Sequence, residues 1–273
     1  MATFQEVLTE AVNDLAEHGF DNVERIAVWQ ERLRRAAEQY SGVPSAAESM
    51  VSQSLAAMYK KMIEHGGILK YHPEVARFTL QKLAPHLRLE LDRRILASAD
   101  LIKLNRTESI NKTLRRFSGW ATSIPAGGSD VVDKRDVKNN VFRALKQLPY
   151  EERRVAIDQG HKLRASLSDI VAMDNNAIAV EWHSHYRQAG YNYREDHKER
   201  DKHVYAIRGN WAIDRGLMKA GPNGYYDEIT AVGEEVFCRC YAVYKYNLRQ
   251  LPDEMLTQKG KLALSEIQKD RQK

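Results

Sequence analysis

The residues of this sequence best suited to chemistry are histidines and cysteines in its C-terminal half. Four histidines fall within 21 residues, and two cysteines follow about 35 residues after the last of them. These six residues are His183, His185, His197, His203, Cys238 and Cys240. Imidazole and thiolate are preferred ligands of Zn²⁺. We therefore predict a candidate zinc site at His197, His203, Cys238 and Cys240.

The two cysteines are separated by a single residue, whereas common structural zinc sites use Cys-x2–4-Cys. From Glu235 to Tyr244, cysteines and aromatic residues alternate with other residues, and this period of two predicts a β-strand. On a strand both sulfurs point to the same face. That arrangement fits a bound metal, and it equally fits two small apolar side chains in a core, where free cysteine is common.

Arg-x-x-His occurs twice, at Arg194–His197 and Arg200–His203. Histidine titrates near neutral pH, so the cluster suits acid–base chemistry, and it equally suits a hydrogen-bonded loop. The chain lacks Gly-x-Ser-x-Gly, Gly-x4-Gly-Lys-Ser/Thr, Gly-x-Gly-x-x-Gly and His-Glu-x-x-His, which mark several enzyme and nucleotide-binding classes. We therefore predict that the protein is not an enzyme. The alternative is a zinc-dependent hydrolase or nuclease that uses His197, His203 and the cysteines.

The elements that position these residues follow a long helical region. Apolar residues recur at three- and four-residue steps in Phe4–Leu15 and Val23–Ala37, and similar stripes continue to Leu104. This period predicts helices. The run Ile124–Asp130 contains proline, two glycines and serine, a composition that predicts a linker. A further helix is predicted from Glu151 to Met173.

The pattern changes after residue 175. Ala177–Trp182 is short, partly β-branched and aromatic, which predicts a strand, and Trp211–Ile213 predicts another. The predicted fold class is therefore α+β and mainly helical, with a helical N-terminal domain followed by a small mixed α+β C-terminal module. The predicted domains are a helical domain at 1–123, a linker at 124–130, an α+β domain at 131–250 and a polar C-terminal tail at 251–273.

The charge of the chain is unevenly distributed. The net charge is +5, and residues 51–120 carry 13 basic and 6 acidic side chains. A basic helical surface can contact nucleic-acid phosphates, and a solvated face of mixed charge is the alternative. The residues assigned to a nucleic-acid contact are Lys60, Lys61, Arg93, Arg94, Arg115 and Arg116. A non-specific DNA-binding protein is therefore one of the alternative functions.

Composition excludes several classes of protein. Hydrophobic residues make up 43% of the chain and there are two cysteines. The hydrophobic content is too high for a disordered chain, and two cysteines are too few for a disulfide framework. No apolar run approaches the ~18 residues of a membrane span.

Three motifs, in this order, resemble those of the phage head morphogenesis (Mu F-like) minor head protein family. Glu181–Ser184, which reads Glu-Trp-His-Ser, resembles the family's tryptophan-containing strand. Arg200–His203, followed by Gly209, resembles its Arg-x-x-His motif, and Arg194–His197 is a second alignment of that motif. Gly233–Cys240, which reads Gly-Glu-Glu-Val-Phe-Cys-Arg-Cys, resembles its closing motif.

The resemblance covers roughly residues 150–245 and implies a structural minor capsid protein of a tailed bacteriophage that acts in head assembly. It implies a location in the virion, beside the portal on the capsid interior, after synthesis in the host bacterial cytoplasm. The implied partners are the portal protein, the major capsid protein and packaged double-stranded DNA, with no membrane. No cofactor is required, although zinc is compatible with the cysteines. The residues expected to hold the module together are Trp182, Arg200, His203, Gly209, Gly233, Glu234, Cys238, Arg239 and Cys240.

Overall fold

The computed structural model describes residues 3–42, 46–123 and 134–271. Its α-helices are α1 (Phe4–His18), α2 (Val23–Gly42), α3 (Ala46–Tyr59), α4 (Arg77–Ser123), α5 (Lys134–Val141), α6 (Arg143–Asp174), α7 (Glu195–Glu199), α8 (Trp211–Asp214) and α9 (Gln258–Arg271). Its strands are β1 (Ala179–His183), β2 (Val204–Ala206) and β3 (Tyr241–Lys245). A π-helical turn follows α3 at Lys60–Glu64. The mainly helical α+β fold class is confirmed.

The chain forms two compact units, and each unit combines two segments. The first unit is Met1–Ser52 with Leu96–Ala156, and the second is Gln53–Ile95 with Ile157–Lys273. This division differs from the linear series of domains predicted from the sequence, because α4 and α6 contribute residues to both units. The predicted linker at 124–130 lies outside the described residues. The sheet, the cysteines and the clustered histidines all belong to the second unit.

The first unit has a helical core. Helix α1 begins with a capping box: the Thr3 hydroxyl accepts a hydrogen bond from the Glu6 backbone N–H, and the Glu6 carboxylate accepts one from the Thr3 N–H. This pairing satisfies two groups that a helix end leaves free. The apolar residues of α1 then share one buried face, as their spacing predicts. Core members include Leu8, Leu15, Leu33, Ile110 and Phe117.

The second unit contains a three-stranded antiparallel sheet in the order β2-β1-β3. In the central strand, Val180 lies opposite Tyr205 on one side and Tyr244 on the other. Successive side chains of a strand point to opposite faces, so β1 contributes to two cores. Val180 and Trp182 pack with Ala165 and Ala172 of α6 on one face.

The opposite face of the sheet is covered by the C-terminal residues. Ala179 of β1 packs there with Met218 and with Leu251, Met255 and Leu256. The polar tail predicted from residue 251 therefore begins with core residues, and only then continues into the more exposed α9. Both faces of the sheet are covered, which explains why every residue of β1 is buried or half-buried.

The predicted strand at Glu235–Tyr244 is much shorter in the structure. Strand β3 begins at Tyr241, so Cys238 and Cys240 lie in the irregular segment before it. The backbone of Phe237 has φ +61°, in the left-handed region, which an extended ladder cannot accommodate. The alternation of residue types in this segment therefore reflects a turn that buries both sulfurs.

The predicted strand at Trp211–Ile213 is a helix. The side chain of Asn210 accepts hydrogen bonds from the backbone N–H groups of Ala212 and Ile213, at 2.9 and 3.1 Å. Asparagine is a favoured N-cap residue because it satisfies these groups. Its cap starts the short α8, whose apolar residues had suggested a strand.

Candidate functional site

His197, Cys238 and Cys240 form one buried cluster in the second unit. His197 Nδ1 lies 3.8 Å from Cys238 Sγ and 3.6 Å from Cys240 Sγ. All three donor atoms lie within 4.8 Å of one another, and each residue is only 1% exposed. The structure therefore brings together three of the four residues assigned to a zinc site.

His203, the fourth residue assigned to that site, lies apart from this cluster. Its side chain is exposed, and its backbone carbonyl accepts a hydrogen bond from the Trp182 N–H at 2.9 Å. The backbone of this residue thus extends the pairing beside β1. Of the two Arg-x-x-His segments, the one whose histidine reaches the cysteines is Arg194–His197.

Glu235 lies against the Nε2 atom of His197, on the side of the ring away from the sulfurs, and Arg194 pairs with Glu235. Glu235 Oε2 lies 2.7 Å from His197 Nε2 and 3.2 Å from Arg194 Nε. Arg194 also donates a hydrogen bond to the Val236 carbonyl at 3.0 Å. The Glu235 and His197 atoms are close enough to form an ion pair, but they lack the geometry of a hydrogen bond. No sequence pattern marks Glu235 as a site residue, although it follows Glu234 directly in the closing motif.

Trp182 forms a wall of the cluster. Its ring is fully buried and meets the ring of His197 edge-on, with centroids 5.2 Å apart. The guanidinium of Arg200 lies over the same indole at 5.3 Å. Arg200 is fixed by an ion pair with Asp196 at 2.8 Å and a hydrogen bond to the Thr230 carbonyl at 3.3 Å. The second Arg-x-x-His segment therefore contributes its arginine to the module and exposes its histidine.

Helix α6 fixes the loop that carries the cysteines. The Asp158 carboxylate accepts a hydrogen bond from the Phe237 N–H at 2.6 Å. Arg164 donates to the carbonyls of Arg239 and Cys240 at 3.4 and 3.1 Å. Hydrogen bonds to charged groups are stronger than neutral ones. The hydrogen bonds from Asp158 and Arg164 offset the cost of the left-handed backbone at Phe237. Asp158 is thus a positioning residue that no sequence motif marked.

Gly233 packs closely within the closing motif. Its N–H donates to Cys238 Sγ at 3.5 Å. Its φ is +79°, and a Cβ at this position would lie only 2.7 Å from Ala165 Cβ. Glycine is required here for both conformation and space. The residue therefore joins the sulfur cluster to α6.

The two thiols have opposite pKa shifts. The hydrogen bond from the Cys240 thiol, assisted by the one from the Gly233 N–H, lowers the pKa of Cys238. The pKa of Cys240 is raised, because that thiol is the donor of the pair and is buried. The cluster thus stabilises one thiolate among buried groups, a state that also favours a bound cation.

The remaining motif residues shape the loops around the cluster. Glu234 Oε2 accepts a hydrogen bond from the Ala231 N–H at 2.7 Å and closes a turn. The guanidinium of Arg239 lies over the ring of Tyr191 at 5.2 Å. Gly209 has φ +67° with open space around it, so its role is conformational.

The six residues assigned to a nucleic-acid contact fall in both units. Lys60, Lys61, Arg93 and Arg94 belong to the second unit, and Arg115 and Arg116 belong to the first. Both lysines are exposed. Arg94 is largely buried and engages Glu90 and Ser166 at 3.1 and 2.9 Å. Its role is therefore structural rather than that of a free surface cation.

A second buried polar cluster lies around His72 in the same unit. His72 is fully buried, its Nδ1 lies 2.6 Å from the Tyr246 hydroxyl, and its ring stacks on Tyr244 at 4.9 Å. The Tyr244 hydroxyl donates to the Asp169 carboxylate. Burial lowers the pKa of His72 to about 3 and raises the pKa of Asp169 to about 6. Both groups are thus held in their neutral forms near pH 5.

Comparisons of this chain with protein-family models, with curated proteins and with solved structures find no match. Among the residues that the structure describes, no helix is both long enough and apolar enough to cross a membrane.

Proposed function

We propose that this chain is a structural minor capsid protein of a tailed bacteriophage, acting in head assembly beside the portal on the capsid interior. One observation carries the proposal. Motif residues from distant parts of the sequence, namely Trp182, Cys238 and Cys240, pack against the buried side chain of His197. Residues that pack together in this way belong to one structural module. The resemblance to the Mu F-like family predicts such a module.

The burial of the cluster favours an assembly role over catalysis. The donor atoms belong to residues that are 1% exposed, and Arg200 is engaged by Trp182 and Asp196. A catalytic group must touch its substrate. Such a cluster is better suited to hold a module whose surface contacts other subunits.

Helix α4 offers exposed apolar side chains for such a contact. Within the second unit, Phe78 is 60% and Leu89 is 67% exposed. They lie eleven residues apart, about three helical turns, and therefore share one face of the helix. We propose this face of the helix as the surface that contacts the portal.

The test is native mass spectrometry of the purified protein, alone and mixed with its cognate portal assembly. We expect a discrete complex, which Leu89→Asp weakens at least tenfold. Leu262→Asp is the matched control, because Leu262 is equally apolar, lies on a helix and is 64% exposed. Absence of a complex with the wild-type protein would overturn the proposal, and equal losses in the two variants would overturn the assignment of the α4 face.

The exposed pair Lys60 and Lys61 supports a contact with packaged DNA as part of this role. Each phosphate contact made by a lysine changes the slope of log K against log[salt] by about 0.9. Replacement of both lysines by glutamate should therefore reduce the slope for duplex DNA by about 2. Lys261→Glu, on the exposed surface of α9, is the control. DNA binding of this kind without a portal complex would favour the non-specific DNA-binding alternative.

The cluster also provides the specific observation that favours the zinc-dependent hydrolase as a second candidate. Two cysteines and one histidine form a donor set that some catalytic zinc sites use, with water at the fourth position. Cleavage of nucleic acid that chelation abolishes and Zn²⁺ restores would support this candidate. A protein that binds the portal and cleaves nothing would exclude it.

A further inference from the structure

We propose that His197 Nδ1, Cys238 Sγ and Cys240 Sγ bind one Zn²⁺ ion, that Glu235 orients the histidine, and that the ion stabilises the C-terminal module. The inference does not depend on the role in head assembly, because it rests only on the geometry of these four residues. It assigns the ligand set to the Arg194–His197 segment and leaves His203 outside it.

The distances between the donors fit a tetrahedral ion. Zinc lies about 2.3 Å from thiolate sulfur and about 2.0 Å from imidazole nitrogen, so neighbouring donors of a tetrahedron are roughly 3.5 Å apart. Nδ1 of His197 lies 3.6 and 3.8 Å from the two sulfurs. These two nitrogen–sulfur separations need only a small side-chain adjustment to receive the ion, and all three donor atoms lie within 4.8 Å of one another.

The chemistry of the donors selects zinc over hard cations. Two thiolates and one imidazole are soft or intermediate ligands, whereas Ca²⁺ and Mg²⁺ prefer oxygen. Two thiolates also balance the charge of a divalent cation, so the buried site carries no net charge. Binding releases the thiol protons to solvent. The three protein donors leave one tetrahedral position for a water molecule.

The groups around the donors are those that a metal site uses. Metal-bound histidines usually place their other ring nitrogen against a carboxylate, and Glu235 Oε2 lies 2.7 Å from His197 Nε2. The Gly233 N–H donates to Cys238 Sγ at 3.5 Å, a contact that stabilises a thiolate. The alternative is a core in which the cysteines are only small apolar side chains. That alternative leaves the buried Nδ1 of His197 with only weak sulfur partners.

The test uses the full chain, purified under reducing conditions in the presence of Zn²⁺ and then desalted. Elemental analysis together with native mass spectrometry should find one zinc per chain. After exchange with Co²⁺, the protein should show a near-ultraviolet thiolate-to-cobalt absorption band and the intense visible bands of tetrahedral coordination. Both readouts are independent of any enzymatic activity.

Variants assign the ligands. Cys238→Ser, Cys240→Ser and His197→Ala should each abolish the cobalt band, and Glu235→Gln should retain the fold but weaken zinc affinity about 10–100-fold. His203→Ala is the matched control and should bind zinc like the wild type. Glu235→Gln keeps the test decisive if the ligand variants do not fold.

Three results would overturn the proposal. One is a reduced wild-type protein that takes up no stoichiometric zinc. Another is a disulfide between Cys238 and Cys240 in protein kept under reducing conditions. The third is a loss of zinc in His203→Ala that equals the loss in Glu235→Gln.

Discussion

The two Arg-x-x-His segments share a pattern and lie six residues apart, yet their environments differ. In Arg194–His197 the histidine is buried against two sulfurs and the arginine pairs with Glu235. In Arg200–His203 the histidine is exposed and the arginine lies over Trp182. The difference comes from tertiary partners rather than from local sequence. A motif of this kind therefore identifies residue types suited to a site, and the fold decides which copy contributes the histidine.

The largest effect that separates the two segments is expected from His197→Ala. The substitution removes a buried ring that packs on Trp182, and it leaves Arg194 as the remaining ion-pair partner of Glu235. We expect a loss of about 3 kcal/mol in the free energy of unfolding, since removal of a buried ring leaves a cavity. Urea denaturation followed by tryptophan fluorescence measures it. A loss below about 1 kcal/mol would contradict the central place of this histidine.

A pair of glycines sharpens the same comparison, because one glycine accompanies each region. Gly233→Ala should cost about 2–3 kcal/mol, since the new Cβ would lie 2.7 Å from Ala165 Cβ at a φ of +79°. Gly209 follows the second segment and has φ +67° with open space. Gly209→Ala should therefore cost only about 1 kcal/mol of backbone strain. Thermal denaturation of both variants measures the two losses of stability. Equal losses in Gly233→Ala and Gly209→Ala would show that Gly233 does not pack closely against Ala165.

A third comparison sets His197 against His72, a histidine buried without a carboxylate at its ring. The pKa of His72 is about 3 in the folded protein and about 6.5 in an unfolded chain. As the pH falls, His72 binds a proton in the unfolded chain before it does so in the folded protein. The contribution of His72 to stability is therefore complete above pH 6.5 and declines as the pH drops toward 3. Between pH 6.5 and pH 5 this costs about 2 kcal/mol.

The variant His72→Phe tests that dependence. Phenylalanine keeps the stack on Tyr244 but cannot titrate, so the variant should lose less stability than the wild type between pH 6.5 and pH 5. Asp169 acts in the opposite direction, because its pKa of about 6 exceeds that of an unfolded aspartate and its contribution declines from about pH 4 to pH 6. Asp169→Asn should therefore make the acid-induced loss steeper. Unchanged pH profiles in both variants would refute the assignment.

The smallest effect is expected from His203→Ala. The side chain is exposed, and the contact that this residue makes with Trp182 uses its backbone carbonyl. Exposed substitutions of this kind usually change stability by less than about 0.5 kcal/mol. Urea denaturation beside His197→Ala measures the contrast between the segments directly. A loss as large as that of His197→Ala would show that the two histidines contribute equally to stability.

Much of the fold can be read from the sequence, because the elements are signalled locally. The three- and four-residue spacing in Phe4–Leu15 predicts α1, and the β-branched and aromatic run at Ala177–Trp182 predicts β1. The errors arise where one residue outside the pattern decides the structure. Asn210 caps a helix at an apolar run that resembles a strand, and Phe237 turns the backbone just before the cysteines.

The candidate site was predictable only in part. Cys238 and Cys240 can be predicted as candidate ligands from their residue type, and so can His197. No feature of the local sequence shows that His197 rather than His203 lies beside the cysteines. The choice depends on Glu235 and on Asp158, which reaches the cysteine loop from 79 positions earlier in the sequence. Such contacts follow from tertiary packing, so a single sequence carries no local signal for them.

The contact of His72 with the C-terminal residues has a consequence for the order in which the protein is made. The His72 ring meets the Tyr246 hydroxyl, 174 positions later in the chain. During translation the segment around His72 leaves the ribosome long before its partner exists. Ribosome-bound chains therefore keep His72 without this partner until at least 174 further residues have been synthesised, an interval in which exposed apolar surface favours aggregation and chaperone binding.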